Sequence, residues 1–363
     1  RRQTNANELP DNQVMCLHSF HESSAPAPWW KKASIVTGLA AVAVVCAQII
    51  RKKIEIRKSK YNHFVYEGIV YPPFIHQGAV DSLRKDFSLR PDDIVIATFP
   101  KCGTTWMQQI VLLLLNDGDR DKVTDPMKQS PWLELQASLH ARDSEQGMSL
   151  QHINSMSTTE RRVWKTHACH HLAPWKHGTE GASDIAKGPK IIVVCRNAFD
   201  AVVSMYHHAL DVPLFEYTGS FNHFFGLYRR GQVESGSYWR WYQGWWSVYT
   251  SASSRNNGSV LWVNFENLKA DLETEIKTIA KFLGISCPDE LAKKVAMNST
   301  FSSMKKQFAD LEKVKLAKGE KVKKNHIRQG KVGGWKAYFS KEQTQIFVEK
   351  EMRHHATVPA YKL

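Results

Sequence analysis

Lys101, Thr104 and Thr105 stand close together in the segment Pro100-Lys101-Cys102-Gly103-Thr104-Thr105-Trp106. Such a cluster suits an anion: an ammonium supplies a full positive charge and hydroxyls donate hydrogen bonds, while the orphan N–H groups of a helix start converge on the same spot. The lysine precedes the glycine, so the G-x-x-x-x-G-K-[ST] pattern of ATP-binding phosphate loops is absent. Phosphate binding of another kind is expected, with Trp106 offering a flat face to a base. Arg196 and Ser204 form a second cluster, in which a guanidinium fork can grip a phosphate as a lysine cannot. Lys165-Thr166-His167 sets a cation beside a side chain able to take a proton near neutrality. Each cluster alone also reads as ordinary structure: a strand-to-helix turn, a helix-capping pair, or one structural histidine among 16.

These residues need elements to position them. Ile94 to Phe99 is a short apolar run, read as a buried strand that Pro100 and Gly103 break, and Thr104 to Leu115 reads as the helix that follows. Lys190 to Cys195 is a second buried-strand run, which places Arg196 at its carboxyl end and Ser204 about two turns into the next helix. Val163-Trp164 and Leu261 to Phe265 read as further strands. Leu272 to Leu283 has helical periodicity closed by Gly284, and Glu342 to His354 reads as a C-terminal helix. Tyr238 to Trp246 is expected to be an aromatic helix packed on the sheet. Strands alternating with helices predict an α/β fold: one domain, a mostly parallel central sheet flanked by helices on both faces, and a P-loop-like phosphate loop. Ligands in such sheets bind beyond the strands' carboxyl ends, where both phosphate clusters fall.

On these motifs the chain resembles the cytosolic-type sulfotransferases, over about Tyr71 to Phe339. The resemblance implies transfer of a sulfuryl group from 3′-phosphoadenosine-5′-phosphosulfate to a hydroxyl or amine of a small acceptor, leaving adenosine 3′,5′-bisphosphate. Residues Lys101 to Trp106 (Lys101, Cys102, Gly103, Thr104, Thr105, Trp106) then correspond to the 5′-phosphosulfate loop, and Arg196 and Ser204 to the holders of the 3′-phosphate. Arg328-Gln329-Gly330-Lys331-Val332-Gly333-Gly334-Trp335-Lys336 is similar to the family's Arg-Lys-Gly-x-x-Gly-Asp-Trp-Lys element, with Gln329 for the lysine and Gly334 for the aspartate. Ser299, Thr300, Phe301 and Met304 resemble the adenosine-contacting segment, and Phe265 stands where relatives have a tyrosine. By the same resemblance His167 is the base, Lys165 binds a sulfuryl oxygen and Lys101 the bridging oxygen. His170 and His171 are neighbouring competitors for the base.

The chain has 363 residues, 42% of them hydrophobic, and a formal net charge of +14. That charge suits a multiply anionic co-substrate and an anionic membrane surface; no nucleic-acid-binding motif accompanies it. Residues 33–50 carry no charge, follow Trp29 and Trp30, and are bracketed by Lys31, Lys32 and Arg51-Lys52-Lys53. They are expected to anchor the protein in a membrane with the catalytic domain facing the cytosol; the alternatives are an organelle-targeting segment, or a Golgi-type carbohydrate sulfotransferase with inverted topology. The expected organisation is a loop-like segment 1–32, the anchor 33–50, a basic linker 51–70 and a sulfotransferase domain 71–363. Six scattered cysteines do not form a disulfide framework, and Cys169-His170-His171 is a poor zinc pattern, so no metal is expected. Two other readings stay beside the enzyme: a phosphotransferase, lacking its Walker lysine, and a catalytically silent nucleotide-binding protein, suggested by Gln329, Gly334 and Phe265. The family's dimer element is altered here, at Lys336, Ser340, Lys341 and Gln345, which leaves the oligomeric state open. The acceptor's identity is not legible.

Overall fold

The computed structural model describes residues 40–50, 60–156, 160–175, 189–251, 258–319, 327–352 and 358. Residues 1–54 and 55–363 form two compact units. In the first, residues 40–50 are helical and exposed. Among the described residues no helix is long and apolar enough to cross a membrane. The expected anchor is therefore not borne out: a helix over 40–50 rises about 16 Å, against a hydrocarbon core of about 30 Å. Residues 33–39 of that expected span lie outside the described residues.

The second unit opens on a hairpin, β1 (Phe64–Tyr66) and β2 (Ile69–Tyr71), paired antiparallel. Glu67 and Gly68 turn it, both at positive φ (47° and 75°), as a two-residue hairpin turn requires. The hairpin lies in and just beyond the stretch read as a linker. The central sheet has four parallel strands in the order β4 (Val163–Thr166), β3 (Ile94–Thr98), β5 (Lys190–Cys195), β6 (Val260–Asn264). The α/β architecture expected from the alternating pattern is present. Helix α1 (Gln77–Asp86) precedes β3, and α2 (Thr104–Leu115) follows it.

Side chains of β3 and β5 alternate between two cores. Val95, Ala97, Ile191 and Val193 face the aromatic side, with Trp164, Trp241, Tyr242 and Trp245. Ile94, Ile96, Ile192 and Val194 face Ile110, Val111 and Leu114 of α2. On that second face α2 is joined by two helices, Leu272–Leu283 and Asp289–Asn298. Both faces are covered, which is why these strands read as continuous apolar runs rather than alternating ones.

The chain runs from β3 outward to β4, then crosses back to β5 on the other side of β3. The loops leaving β3 and β5 therefore diverge, and a crevice opens between them at the carboxyl ends. The expected C-terminal helix begins as an α-helix over Lys341–Ile346 and continues over Phe347–Met352 as a wider, π-helical turn; residues 353–354 of the expected span lie outside the described residues.

Candidate active site

Thr98 ends β3, and the turn that follows is strained by design. Lys101 adopts φ 69° and Gly103 φ 104°, the left-handed region where a side chain is costly and glycine is not. A Cβ on Gly103 would lie 2.9 Å from Cδ2 of Phe265. Cys102 is buried beneath the turn, its N–H bonded to the Phe99 carbonyl at 3.2 Å, and burial pushes its thiol up to about 12. It underlies the loop and does not line the cavity.

Arg196 leaves the carboxyl end of β5 and is buried. Its Nη1 donates to the Lys101 carbonyl and its Nη2 to the Lys331 carbonyl, both at 3.1 Å. Its guanidinium lies 4.5 Å from the ring centroid of Phe265, so the phenylalanine that replaces the expected tyrosine acts as a cation–π partner. Its Nε is buried with no hydrogen-bond partner among the described residues. One arginine thus ties the Lys101 loop to the Arg328–Lys336 segment.

The Arg328–Lys336 segment is fixed by a residue whose role its sequence position did not reveal. Asp200, buried in the first turn of α3 (Ala198–Asp211), accepts from the N–H groups of Gly333 at 2.7 Å and Trp335 at 3.0 Å. Gly330 packs its backbone against Phe301, where a Cβ would come within 2.8 Å of the ring. Trp106 donates its indole N–H to the Ser299 carbonyl at 2.8 Å and meets Phe265 edge-on at 5.2 Å. The Ser299 hydroxyl is spent on its own helix, donating to the Val295 carbonyl at 2.7 Å. Thr300 is exposed and caps the helix Phe301–Ala317 by accepting from Ser303 N–H, away from the cavity lining.

His167 follows β4 and is buried. Its Nδ1 lies 2.8 Å from the carbonyl oxygen of Thr98, which can only accept; Nδ1 carries the proton and Nε2 keeps its lone pair. Burial, then the charges of Lys165 and Lys101, holds its pKa well below the ordinary 6.5. The ring is therefore neutral at pH 7. Trp132 packs between the two neighbours: its ring meets His167 edge-on at 4.9 Å and carries the Lys165 ammonium 4.6 Å from its centroid. Glu134, also buried, accepts the Thr166 hydroxyl at 2.6 Å. Burial raises its pKa. Sequence reading missed Trp132 and Glu134, because they act through Lys165-Thr166-His167 rather than through any pattern of their own.

One cavity of about 530 Å³ brings most of the expected residues together. Lys101, Gly103, Thr104, Thr105, Trp106, Lys165, His167, Arg196, Ser204 and Arg328 all line it, with Phe265, Ser299, Phe301, Met304 and Gly330. A smaller recess of about 70 Å³ adjoins it, where Gln329 and Lys331 join Lys101, Arg196, Ser204 and Arg328. The rival histidines are elsewhere: His170 packs edge-on against Trp245, and His171 lies 3.8 Å from the Cys169 thiol.

Comparison with known proteins gives this geometry its family. Residues 91–353 match the family model described as the sulfotransferase domain. Sulfotransferase 1E1 of Bos taurus is 30% identical over 278 residues, spanning 74% of this chain and 86% of that protein. Sulfotransferase 1 family member D1 of Mus musculus is 31% identical over 271 residues, spanning 73% and 84%. Among solved structures, mouse sulfotransferase SULT7A1 complexed with PAP is similar with a TM-score of 0.62 at 26% identity, covering 81% of this chain and 95% of that one. Retinol dehydratase in complex with androsterone and inactive cofactor PAP reaches 0.65 at 22% identity, over 84% and 91%, a likeness of fold. With the phosphate loop, the basic recess and the buried histidine on one cavity, and with that match running across most of its length, the chain belongs to the sulfotransferase family and is an enzyme of that class.

Proposed function

We propose that the protein transfers a sulfuryl group from 3′-phosphoadenosine-5′-phosphosulfate to a hydroxyl or amine of a small acceptor, with His167 as general base. One observation carries this reading: Lys101, Lys165, His167, Arg196, Ser204 and Arg328, drawn from four separate segments, line a single cavity. These residues fit such a donor. Five offer hydrogen bonds to anionic oxygens, and the buried Arg196 Nε has a donor to spare among the described residues. The donor, when bound, supplies an activated sulfuryl group on a phosphate leaving group.

Arg196, Ser204 and Arg328 hold the 3′-phosphate in this reading, and Thr104 and Thr105 the 5′-phosphate. Phe265, Phe301 and Met304 contribute apolar surface around the adenosine, alongside Trp106. His167 takes the acceptor's proton on Nε2 as the acceptor's oxygen or nitrogen attacks sulfur. Lys101 meets the charge that grows on the bridging oxygen, and Lys165 holds a sulfuryl oxygen; fixed cations of this kind stabilise developing charge in a water-poor site. The acceptor shares the cavity with His167, among Phe74, Trp132, Leu135 and Val212.

A labelled-donor assay with simple phenols and alcohols tests the reading. Transfer that persists with a metal chelator is expected, and a strict magnesium requirement would favour the phosphotransferase alternative.

A further inference from the structure

A buried hydroxyl stands between the proposed base and the phosphate loop. Thr98, the last residue of β3, is fully buried; its Oγ1 lies 2.6 Å from the Thr104 hydroxyl and 3.3 Å from Nδ1 of His167. Nδ1 gives its proton chiefly to the Thr98 carbonyl at 2.8 Å, so the hydroxyl is a second, longer acceptor for the same N–H. It cannot donate to a nitrogen that already carries a proton. Thr104, the first residue of α2, is 7% exposed and lines the main cavity.

Each threonine has one hydrogen to donate, and burial fixes which way the two point. If Thr104 donated to Thr98, the Thr98 hydrogen would have no acceptor among the described residues, in a place water does not reach. Leaving a buried donor unmade costs more than a made bond gains. If Thr98 donates to Thr104, the hydrogen left over belongs to Thr104, at the cavity wall. The chain therefore runs from the His167 N–H to the Thr98 hydroxyl, then to the Thr104 hydroxyl, and ends on an acceptor in the cavity. A phosphate oxygen is a strong acceptor, because the bond to it is charge-assisted.

Hydrogen bonds in series polarise one another, and those around catalytic groups are often long until substrate binds. Resting on the transfer reaction described above, we propose that Thr98 is a positioning residue that couples the two halves of the site. When Thr104 donates to the donor's 5′-phosphate, the pull passes through the Thr98 hydroxyl to the His167 N–H and makes Nε2 a stronger base. The base is primed when the donor is in place. Other charges act on the ring directly. Lys165 and Lys101 face it from β4 and from the loop, and Glu134 stands behind it through Thr166. His208 and Glu234 line the same cavity, as do Arg196, Lys269, Glu312, Lys315 and Arg328. Changing Thr98 leaves all of these in place, so it isolates the chain.

The test reads the proton affinity of His167 itself, by NMR titration of the full chain labelled at histidine, the signal being identified by its loss in H167Q. Saturating adenosine 3′,5′-bisphosphate should raise that affinity in the wild type. Thr98→Val keeps the shape without the hydroxyl, and its rise should be smaller by roughly two- to tenfold, about what one hydrogen bond contributes. Thr98→Ser should restore it. With labelled donor and a simple phenol, kcat of T98V should fall by a similar factor while KM for the phenol holds. Should T98V fail to fold, Thr104→Val breaks the chain one link further on and should shrink the rise likewise at saturating ligand. No rise in the wild type, an equal rise in T98V, or a T98S that behaves as T98V overturns the proposal. If the rise follows the hydroxyl but no phenol takes up the label, the transfer reading is what has failed.

Discussion

Trp241 donates its indole N–H to the backbone carbonyl of His167 across 2.9 Å. The neighbouring contacts follow the same plan: Trp245 donates to the Ala168 carbonyl at 3.2 Å, Tyr242 to the Val194 carbonyl at 2.8 Å, and the Tyr238 hydroxyl to the Arg196 carbonyl. All four donors lie on one helix, α4 (Tyr238–Thr250). Its rings fill the core, and their polar edges satisfy carbonyls at the carboxyl ends of β4 and β5. The aromatic helix is both the packing and the jig for the residues proposed to act on the substrates.

His167→Ala should lower turnover by about 10²–10⁴-fold, as expected for loss of a general base. Calorimetric affinity for adenosine 3′,5′-bisphosphate should change little. Near-normal turnover would assign the proton transfer to another group.

The pH profile should carry the sign of the His167 shift. The neutral ring is the active form, and its pKa lies well below 6.5, chiefly through burial and then through Lys165 and Lys101. Activity should therefore hold through pH 6.5 and fall only at lower pH. Lys165→Met removes one depressing charge and should move that acid limb upward, towards but not as far as 6.5, because burial remains. A depressed folded-state pKa also means the unfolded chain binds more protons below about pH 6.5, so this residue's contribution to stability is present above that pH and lost below it.

Arg196→Lys keeps the charge but not the fork, and loses the bonds to the Lys101 and Lys331 carbonyls. Affinity for the bisphosphate should fall roughly ten- to hundred-fold by calorimetry. The wild type should also bind adenosine 5′-phosphate, which lacks the 3′ group, much more weakly than the bisphosphate. Equal affinity for the two nucleotides would remove the 3′-phosphate pocket from the proposal.

Glu134→Ala takes away the acceptor of the Thr166 hydroxyl and leaves a void behind β4. Unfolding in urea should show a loss of about 1–3 kcal/mol. Glu134→Gln, which can still accept through its carbonyl, should recover most of it. A variant as stable as the wild type would show that the carboxyl is not bracing the strand end.

Lys341 and Gln345, where the resemblance would have a valine and a glutamate, are exposed, and Gln345 donates to Glu349 of its own chain at 2.9 Å. Protein beginning at Lys60 should sediment as a monomer at micromolar concentration, or as a dimer indifferent to changes at these two positions. A dimer that Lys341→Ala dissociates would show that the altered element still works.

Much of this arrangement was legible in the residues themselves. Thr104–Leu115, Lys190–Cys195 and Leu272–Leu283 fall where apolar runs and the flanking Gly103 and Gly284 put them. Lys101, Arg196 and His167 announced themselves as chemistry at strand ends. Asp200, Trp132 and Glu134 did not, since an aspartate in a helix's first turn and a tryptophan before a helix have ordinary local explanations. What gives them a role is long-range: Asp200 reaches a loop more than a hundred residues away. Ser299 and Thr300 show the converse, as their type suits ligand contact while their hydroxyls serve local helix geometry. The expected anchor is not borne out: among the described residues no helix is long and apolar enough to cross a membrane, and residues 33–39 of the expected span lie outside them.

The Asp200 clamp makes the recess depend on residues far apart in the chain. The recess between Arg196 and Arg328 is lined on one side by residues 328–331 and 334, and that segment is docked on the start of α3 through Asp200. All four strands of the central sheet, with His167 and Lys165, precede Gly333 in the chain, while the N–H groups that the Asp200 carboxylate holds come from Gly333 and Trp335. On the proposed reading, affinity for the donor therefore depends on the docking of a segment more than a hundred residues from the start of α3.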